Sequence, residues 1–190
     1  MGLGTGSTVA HLLPALAGRG LSGLRCVATS PATAARAREL GLPVEAFERL
    51  DHLDIAIDGA DQVDPAGWLV KGGGGAHTRE KIVAAAADRF VVIADHTKVV
   101  DALHLPVPLE LLSFGLPATL RAVAPTRLRD VPHSPDGGLI ADFQGDVGDP
   151  EALAERFEKV PGVVDHGLFP PTLTSDVLIA TGDAVEHREV

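Results

Sequence analysis

The chain has 190 residues, of which 45% are hydrophobic and 22% are charged, and this balance is typical of a folded globular protein rather than a disordered chain. Its formal net charge is −10, which argues against nucleic-acid binding because that function normally needs a basic face. No apolar run reaches the roughly 18 to 20 residues of a membrane span, so we expect no membrane partner.

The first half of the chain alternates helix and strand patterns. Ser30 and Pro31 form a good N-cap and first-turn pair, and Gly41 is a typical helix stop. The run at 90–94 is continuously apolar, as expected for a strand of a parallel sheet covered on both faces. This alternation predicts an α/β domain. We expect helices at 7–17, 31–41 and 78–89, the last with Ile82, Val83, Ala86 and Phe90 on one side, and strands at 24–29, 43–47, 53–57, 68–70 and 90–94.

The pattern changes after residue 98. Residues 104–138 are rich in Pro and Leu and show only weak periodicity. Asp149 and Pro150 are typical of a helix start, and strands are expected at 139–143, 163–168 and 176–180. A β-α-β-β unit of this size predicts a small α+β, ferredoxin-like domain. We therefore expect a Rossmann-like catalytic domain at 1–103, completed by a C-terminal strand near 176–190, and a small domain at 104–175.

The loop at 4–8, with the sequence GTGST, opens the first predicted helix. Glycines let backbone N–H groups approach a ligand, a helix N-terminus favours an anion, and Ser7 and Thr8 add hydroxyl groups. The loop is neither a Walker A motif nor a complete Rossmann fingerprint, because Ser7 replaces the third glycine. A phosphate site and a tight turn with a serine cap both remain open.

Asp58 and Asp61 lie in a DGAD turn after an apolar strand. Paired carboxylates on one turn can bind sugar hydroxyls or move protons. Aspartate is also a common turn former, so a structural role explains this pair equally well.

Lys71 precedes four consecutive glycines, and Glu80 follows in the first turn of the next predicted helix. Such a glycine run is entropically costly, which suggests close approach of the backbone to a ligand. Lys71 could neutralise an oxyanion, and Glu80 could act as a base at neutral pH. A flexible hairpin tip followed by a carboxylate at the helix N-terminus is the alternative.

Lys98 closes a DHTK cluster after the strand at 90–94. In open α/β sheets, ligands bind beyond the carboxyl ends of the strands, where this lysine could neutralise a phosphate or a developing enolate. A solvated surface lysine is the alternative.

Taken together and in this order, the four clusters resemble ribose-5-phosphate isomerase, type A. The matching strings are GLGTGST at 2–8, DGAD at 58–61, VKGGGGAHTREKIVA at 70–84 and VVIADHTKVV at 91–100, with weaker matches at 108–115 and 161–169. The resemblance implies an enzyme of the non-oxidative pentose phosphate pathway that interconverts ribose 5-phosphate and ribulose 5-phosphate through an enediolate. It also implies no metal or other cofactor, a phosphorylated pentose as the partner, and a homodimer or homotetramer.

The resemblance implies a role for each matching residue. Glu80 would be the general base that removes the C2 proton and returns it to C1. Asp58 and Asp61 would contact sugar hydroxyls and assist ring opening, and Lys71 would handle the oxygen atoms as charge develops. Lys98 would supply positive charge to the bound anion. The other substrate-binding positions that it implies are Thr5, Gly6, Ser7, Thr8, Gly59, Ala60, Gly72, Gly73 and Gly74.

The chain departs from the pattern of this family at several positions. Gln62 stands where the family has Glu, and His77 stands where it has an apolar residue. His96 replaces a small or acidic residue, Ser113 replaces proline, and the Thr-Asp-x-Gly-Asn stretch is SPDGG at 134–138. Every residue to which the resemblance assigns a chemical role is present.

The start of the chain is the largest departure. The family has a helix and a strand before its GTGST loop, whereas only Met1, Gly2 and Leu3 precede it here. One hypothesis is that Met1 is internal to a longer protein. The start has neither a basic nor an apolar signal region, and the single cysteine, Cys26, allows no internal disulfide, so we expect a cytoplasmic protein.

Two other functions stay open. One is a related deaminase or lactonase acting on another sugar phosphate, which should lack the KGGG-to-Glu string. The other is a non-catalytic sugar-phosphate sensor, suggested by the altered start and by Gln62. The eight histidines show no HxH or HExxH spacing, so no metal site is expected.

Overall fold

The computed structural model describes residues 1–104 and 106–190, and the chain divides into two compact units. The first unit contains Met1–Gly59, Arg79–His96 and Thr172–Val190, and the second contains Ala60–Thr78 and Thr97–Pro171. The second unit therefore takes in residues 60–78, which the expected domain division placed in the first domain. That division stays a prediction.

The secondary structure alternates between helices and strands through most of the chain. The helices are α1 (Ser7–Gly18), α2 (Pro31–Glu39), α3 (His77–Ala85), α4 (Leu116–Ala122) and α5 (Pro150–Glu158), with short 3-10 helices at Phe47–Arg49, His96–Lys98 and Pro171–Leu173. The strands are β1 (Gly2–Leu3), β2 (Val27–Ala28), β3 (Ala56–Asp58), β4 (Gln62–Val63), β5 (Leu69–Val70), β6 (Phe90–Asp95), β7 (Val107–Leu111), β8 (Thr126–Leu128), β9 (Leu139–Phe143), β10 (Val163–His166), β11 (Leu168–Phe169), β12 (Asp176–Thr181) and β13 (Ala184–Glu189).

The first unit is built on a six-stranded sheet with the order β13-β12-β6-β3-β1-β2. All neighbouring strands are parallel except β12 and β13, which form an antiparallel hairpin. From β1 the chain passes through α1 to β2 on one side, and then returns to β3 on the other side. The strand order thus reverses at β1, and ligands of open α/β sheets bind beyond the carboxyl ends at such a point.

Helix caps follow the sequence signals in the first unit. The Ser30 hydroxyl accepts a 3.2 Å hydrogen bond from the Thr33 N–H, and Pro31 occupies the first turn of α2, so the predicted start is confirmed. Pro14 lies inside α1 without ending it. The predicted apolar face of α3 is partly wrong, because Ile82 is 52% exposed whereas Val83 is buried.

The second unit contains a four-stranded antiparallel sheet with the order β10-β7-β9-β8 and a three-stranded antiparallel sheet with the order β11-β5-β4. The predicted strand at 139–143 and the predicted start of α5 are confirmed. The Asp149 carboxylate caps α5 by accepting a hydrogen bond from the Glu151 N–H at 3.0 Å. Leu153 and Phe157 of α5 pack into the core with Leu109 and Phe143 of the sheet. The observed architecture confirms the predicted class, an α/β parallel-sheet fold with a smaller antiparallel α+β part.

Two segments differ from the predicted secondary structure. Residues 43–47 form a single bridge from Val44 to Cys26 rather than a strand, and a 3-10 helix follows. Residues 104–138 contain β7, α4 and β8, none of which the sequence pattern predicts. All five residues of β7 are buried, including Pro108 and Glu110, which are residue types that argue against a central strand. No helix among residues 1–104 and 106–190 has the length and apolarity to cross a membrane.

Candidate active site

Polar residues follow the carboxyl ends of β1 and β3, the neighbouring strands at the reversal in strand order. The loop at 4–8 follows β1, and Asp58 ends β3. The Asp58 Oδ1 accepts hydrogen bonds from the backbone N–H groups of Thr5 at 3.0 Å and Gly59 at 2.7 Å. Asp58 is only 2% exposed, so two fixed donors hold a buried carboxylate at this edge.

Gly4 is required for this contact. A Cβ atom added at Gly4 would lie 1.9 Å from the Asp58 Oδ1, far inside any real contact distance. The loop is held on its other side by Thr33, whose hydroxyl donates to the Gly4 carbonyl at 2.9 Å, and by Thr29, whose Oγ1 lies 2.8 Å from that of Thr5. Sequence reasoning did not identify these two threonines, since each is an ordinary residue at a strand end or a helix start.

A cavity of about 430 Å³ lies beside the N-terminus of α1 in the first unit. Ser7, Thr8 and His11 line one side of it, and Asp95 lines it from the end of β6. Gly6 is the N-cap of α1 and provides no side-chain hydrogen bond, and the first helical residue, Ser7, is exposed. Hydroxyl groups at a helix N-terminus suit an anionic ligand.

Glu80 lies in the first turn of α3 and is only 5% exposed. The helix packs on the sheet through Val83, because a Cβ atom added at Gly2 would lie 2.4 Å from Val83 Cγ1. Glu80 shares this face, since it precedes Val83 by one helical turn. The helix leads into β6, which is parallel to β3, so its first turn lies at the edge where β3 ends at Asp58.

Lys71 follows β5 in the second unit and is only 2% exposed. Its backbone N–H donates to the Gly167 carbonyl at 2.8 Å, and its Nζ lies 5.4 Å from the centre of the Phe169 ring. The β5–β11 pairing therefore fixes the backbone of Lys71, and an aromatic face supports its ammonium group.

The glycine loop after Lys71 contacts Asp61 in the same unit. The Gly73 N–H donates to Asp61 Oδ2 at 2.7 Å. Gly72 has a φ of 99°, and a Cβ atom there would lie 2.7 Å from His77 Nδ1. The buried His77 thus packs directly on the loop, which explains why this position needs a glycine. Lys98 is half-buried and ends the 3-10 helix at His96–Lys98.

The second unit also contains contacts that sequence reasoning did not find. The Arg129 guanidinium donates to the carbonyls of Gly72 and Gly73, at 3.0 and 2.9 Å. Gln62 pairs with His104. Their side-chain atoms Nε2 and Nε2 lie 2.8 Å apart, and the side-chain Oε1 of Gln62 accepts a hydrogen bond from the backbone N–H of His104 at 2.9 Å. An amide can both donate and accept here, which a carboxylate cannot, so Gln suits this position.

The predicted site residues thus fall into two groups, one in each unit. The first group is Thr5–Thr8, Asp58, Gly59 and Glu80, and the second group is Ala60, Asp61, Lys71, Gly72–Gly74 and Lys98. Within the described residues, no cluster of three His, Cys, Asp or Glu side chains has the arrangement of a metal site.

The comparisons with known proteins agree on one family. The family model for ribose 5-phosphate isomerase A (phosphoriboisomerase A) matches residues 25–184. A ribose-5-phosphate isomerase A of Roseiflexus sp. (strain RS-1) is 48% identical over 185 residues, which cover 89% of this chain and 79% of the relative. That of Bradyrhizobium diazoefficiens is 43% identical and covers 100% of this chain and 88% of the relative.

Solved structures agree with this result. The ribose 5-phosphate isomerase A of Methanocaldococcus jannaschii is 31% identical with a TM-score of 0.92, and the match covers 100% of this chain and 90% of that one. A D-ribose-5-phosphate isomerase in complex with phospho-erythronic acid is 33% identical with a TM-score of 0.92, over 100% of this chain and 90% of that one. The similarity therefore extends over both units.

Proposed function

Because the chain belongs to the ribose 5-phosphate isomerase A family, we infer that it interconverts ribose 5-phosphate and ribulose 5-phosphate. It is an isomerase of phosphorylated sugars, and its relative in complex with phospho-erythronic acid binds a ligand of the same chemical class. The main structural support for a catalytic role is the position of Glu80, which is buried in the first turn of α3 at the edge where β3 ends in Asp58.

The reaction moves one proton between neighbouring carbons. A base removes the proton from C2 of the open-chain aldose, the electron pair of that bond forms the C1–C2 double bond, and the aldehyde oxygen takes the negative charge. The proton then returns to C1, O2 becomes the carbonyl oxygen, and the hydroxyl proton of O2 moves to O1. One base and several donors to the enediolate oxygens are sufficient for this chemistry.

We assign the base to Glu80. The N-terminal turn of a helix favours a carboxylate through the helix dipole. Burial keeps bulk water away from the carboxylate, so it can act on a substrate proton. A positioned base contributes roughly 10² to 10⁴ in rate.

We assign the binding of the sugar hydroxyls to Asp58 and Asp61. Asp58 is held by the N–H groups of Thr5 and Gly59, and Asp61 by that of Gly73, so each carboxylate has a fixed orientation before substrate binds. Such preorganised carboxylates can assist ring opening and carry protons between oxygen atoms.

The donors to the anionic parts of the substrate come from other residues. The buried ammonium of Lys71 and the N–H groups of the glycine loop suit the developing enediolate. The hydroxyl groups of the Thr5–Thr8 loop, at the N-terminus of α1, suit an anion such as phosphate. Lys98 adds positive charge in a chain with a net charge of −10.

Two expectations complete the proposal. We expect a homodimer or homotetramer, which light scattering on the purified protein would test. We also expect a cytoplasmic location, which fractionation of the source cells would test. Neither expectation is needed for the roles given to Glu80 and Asp58.

The decisive experiment is Glu80→Gln with Glu151→Gln as the matched control. Glu151 is also in the first turn of a helix, α5, but it is exposed. In a coupled assay with ribose 5-phosphate, Glu80→Gln should lower kcat by roughly 10² to 10⁴ while the control stays within twofold of the unmodified protein. Binding of phospho-erythronic acid should change little in either variant.

Two results would contradict the proposal in different ways. No turnover of ribose 5-phosphate by the unmodified protein would refute the activity. A folded Glu80→Gln variant with turnover near that of the control would refute only the base assignment.

A further inference from the structure

Arg129 follows β8 in the second unit, and its guanidinium makes four hydrogen bonds. Two of them go to Asp142, from Nε to Oδ2 at 2.8 Å and from Nη2 to Oδ1 at 2.6 Å. The other two come from Nη1 and reach the carbonyl oxygens of Gly72 and Gly73 at 3.0 and 2.9 Å. The arginine thus joins a carboxylate of the sheet to the glycine loop.

The pairing with Asp142 fixes the plane of the guanidinium. A bidentate arginine–carboxylate pair holds both groups in one orientation, which a lysine cannot reproduce. Asp142 lies in β9, which is paired with β7 on one side and β8 on the other, so the anchor is itself held in the sheet. The remaining N–H groups of Arg129 therefore point in a fixed direction, toward the loop.

Fixing the two carbonyls also fixes the N–H groups of the same peptides. In a trans peptide the N–H points opposite to the C=O, so the Gly72 carbonyl sets the direction of the Gly73 N–H. This N–H donates to Asp61 Oδ2 at 2.7 Å. The Gly73 carbonyl likewise sets the direction of the N–H of Gly74, an exposed residue.

A run of four glycines needs such an external support. Glycine loses more backbone freedom on folding than any other residue, so an unsupported loop of this kind samples many conformations. Hydrogen bonds from a cation to the carbonyls also polarise the peptides and strengthen their N–H groups as donors.

We propose that Arg129, anchored by Asp142, is a positioning residue for the isomerisation, because it fixes the glycine loop and through it the orientation of Asp61 and of the Gly74 N–H. This inference rests on the proposed function, in which Asp61 and the loop N–H groups contact the substrate. Arg129 itself is not proposed to contact the substrate or the reacting atoms.

The test compares Arg129→Gln with Arg127→Gln. Arg127 lies two positions earlier, in β8, and is exposed, so it controls for the loss of one positive charge. We expect Arg129→Gln to lower kcat/KM for ribose 5-phosphate by about 100-fold, the usual cost of misplacing a reacting group, and Arg127→Gln to change it less than twofold. Arg129→Lys should restore only part of the loss, and added guanidinium ion at non-denaturing concentration should raise the rate of Arg129→Gln but not that of the control.

Amide hydrogen exchange gives a second readout that needs no turnover. Arg129→Gln should speed exchange at the Gly73 N–H at least about tenfold relative to Arg127→Gln, because its support is lost. Unchanged exchange at Gly73, or a kcat/KM within threefold of the control in a folded variant, would overturn the proposal. If the unmodified protein turned over no ribose 5-phosphate, the proposed activity would fail, and the exchange measurement would still decide whether Arg129 positions the loop.

A second variant covers the case in which Arg129→Gln does not fold. Asp142→Asn keeps the guanidinium but removes the negative charge of its anchor and one of the two acceptor oxygens. We expect a fall in kcat/KM of about tenfold, with faster exchange at Gly73. A normal kcat/KM together with normal exchange in this variant would overturn the proposal.

Discussion

The two groups of proposed site residues are held in place by different kinds of structure. In the first group, Asp58 is the last residue of β3 and Thr5 lies two residues after the end of the neighbouring parallel strand β1, and the two residues contact each other directly. In the second group, Lys71 and the glycine loop after it depend on partners far along the chain, namely Gly167 for Lys71 and Arg129 for the loop. The first group is thus set by strand order, and the second by long-range pairing in an antiparallel unit.

This difference has a consequence for tolerance to substitution. The first group has little space to rearrange, because glycine and carboxylate are in close contact at the sheet edge. Around the second group, supports other than Arg129, such as the contact of Ser134 with Glu110, can be lost while Arg129 still holds the loop. We therefore expect the sharpest effects from changes in the first group.

Gly4→Ala should disturb the geometry of the first group more than any other change proposed below. The new Cβ would lie 1.9 Å from Asp58 Oδ1, so the carboxylate or the loop must move. We expect kcat/KM to fall about 100-fold or more and the free energy of unfolding to fall by roughly 1 to 3 kcal/mol. Coupled assays and urea unfolding measure the two effects.

Gly18→Ala is the matched control for that change. Gly18 ends α1, has no positive φ, and has open space where a Cβ would lie. It should keep full activity and gain up to about 1 kcal/mol in the free energy of unfolding. If Gly4→Ala behaved like this control, the close contact with Asp58 would not be needed for function.

Much of the first group could be predicted because local rules determine it. The strand that ends at Asp58 and the glycine-rich loop at 4–8 are both visible in short segments of sequence. The supports of the second group could not be predicted, because Arg129 is separated from Gly72 by 57 positions and lies in a stretch without clear periodicity. Long-range pairing of this kind leaves no signal in a single short motif.

Long-range contacts also explain the errors in the predicted secondary structure. β7 carries Pro108 and the buried Glu110, which are residues that usually argue against a central strand. The strand expected at 43–47 has β-forming residues but, among residues 1–104 and 106–190, only one bridging partner, Cys26. In both cases tertiary contacts, and not local propensity, decided the outcome.

Ser134→Ala tests a contact of the second unit that involves none of the second group's own residues. Buried Glu110 accepts hydrogen bonds from the hydroxyls of Thr78 and Ser134, and Ser134 Oγ in turn accepts from the Gly138 N–H at 3.0 Å. Removing one donor from a buried carboxylate should lower the free energy of unfolding by roughly 1 to 3 kcal/mol. We expect kcat/KM to fall less than tenfold, because Thr78 keeps its contact.

Ser113→Ala serves as the control, since Ser113 is exposed. It should change the free energy of unfolding by no more than about 0.5 kcal/mol. A Ser134→Ala variant as stable as this control would show that the SPDGG segment at 134–138 does not support Glu110. A loss of activity as large as that of Gly4→Ala would show that the second group is no more tolerant than the first.

Asp176→Asn should have the smallest effect on activity. It tests whether an aspartate matters for activity because of its position in the sheet or because it is buried. Asp176 is as buried as Asp58, but it begins β12 at the opposite edge of the sheet. Hydrogen bonds from Arg89, and secondarily from His187, lower the pKa of Asp176 to about 2. Because the pKa is lower in the folded state than the ordinary 3.8, the carboxylate stabilises the protein above about pH 4, and this contribution disappears as the pH falls toward 2.

The variant should therefore be less stable than the unmodified protein at pH 7, by about 1 kcal/mol because Arg89 is largely exposed, and the difference should vanish on acidification toward pH 2. Urea unfolding from pH 7 to pH 2.5 measures this trend, and Asp183→Asn, at an exposed turn, should show none of it. Activity at pH 7 should stay within twofold of the unmodified protein. A large loss of activity would mean that burial of an aspartate, and not its place at the carboxyl ends of β1 and β3, explains the sensitivity of the first group.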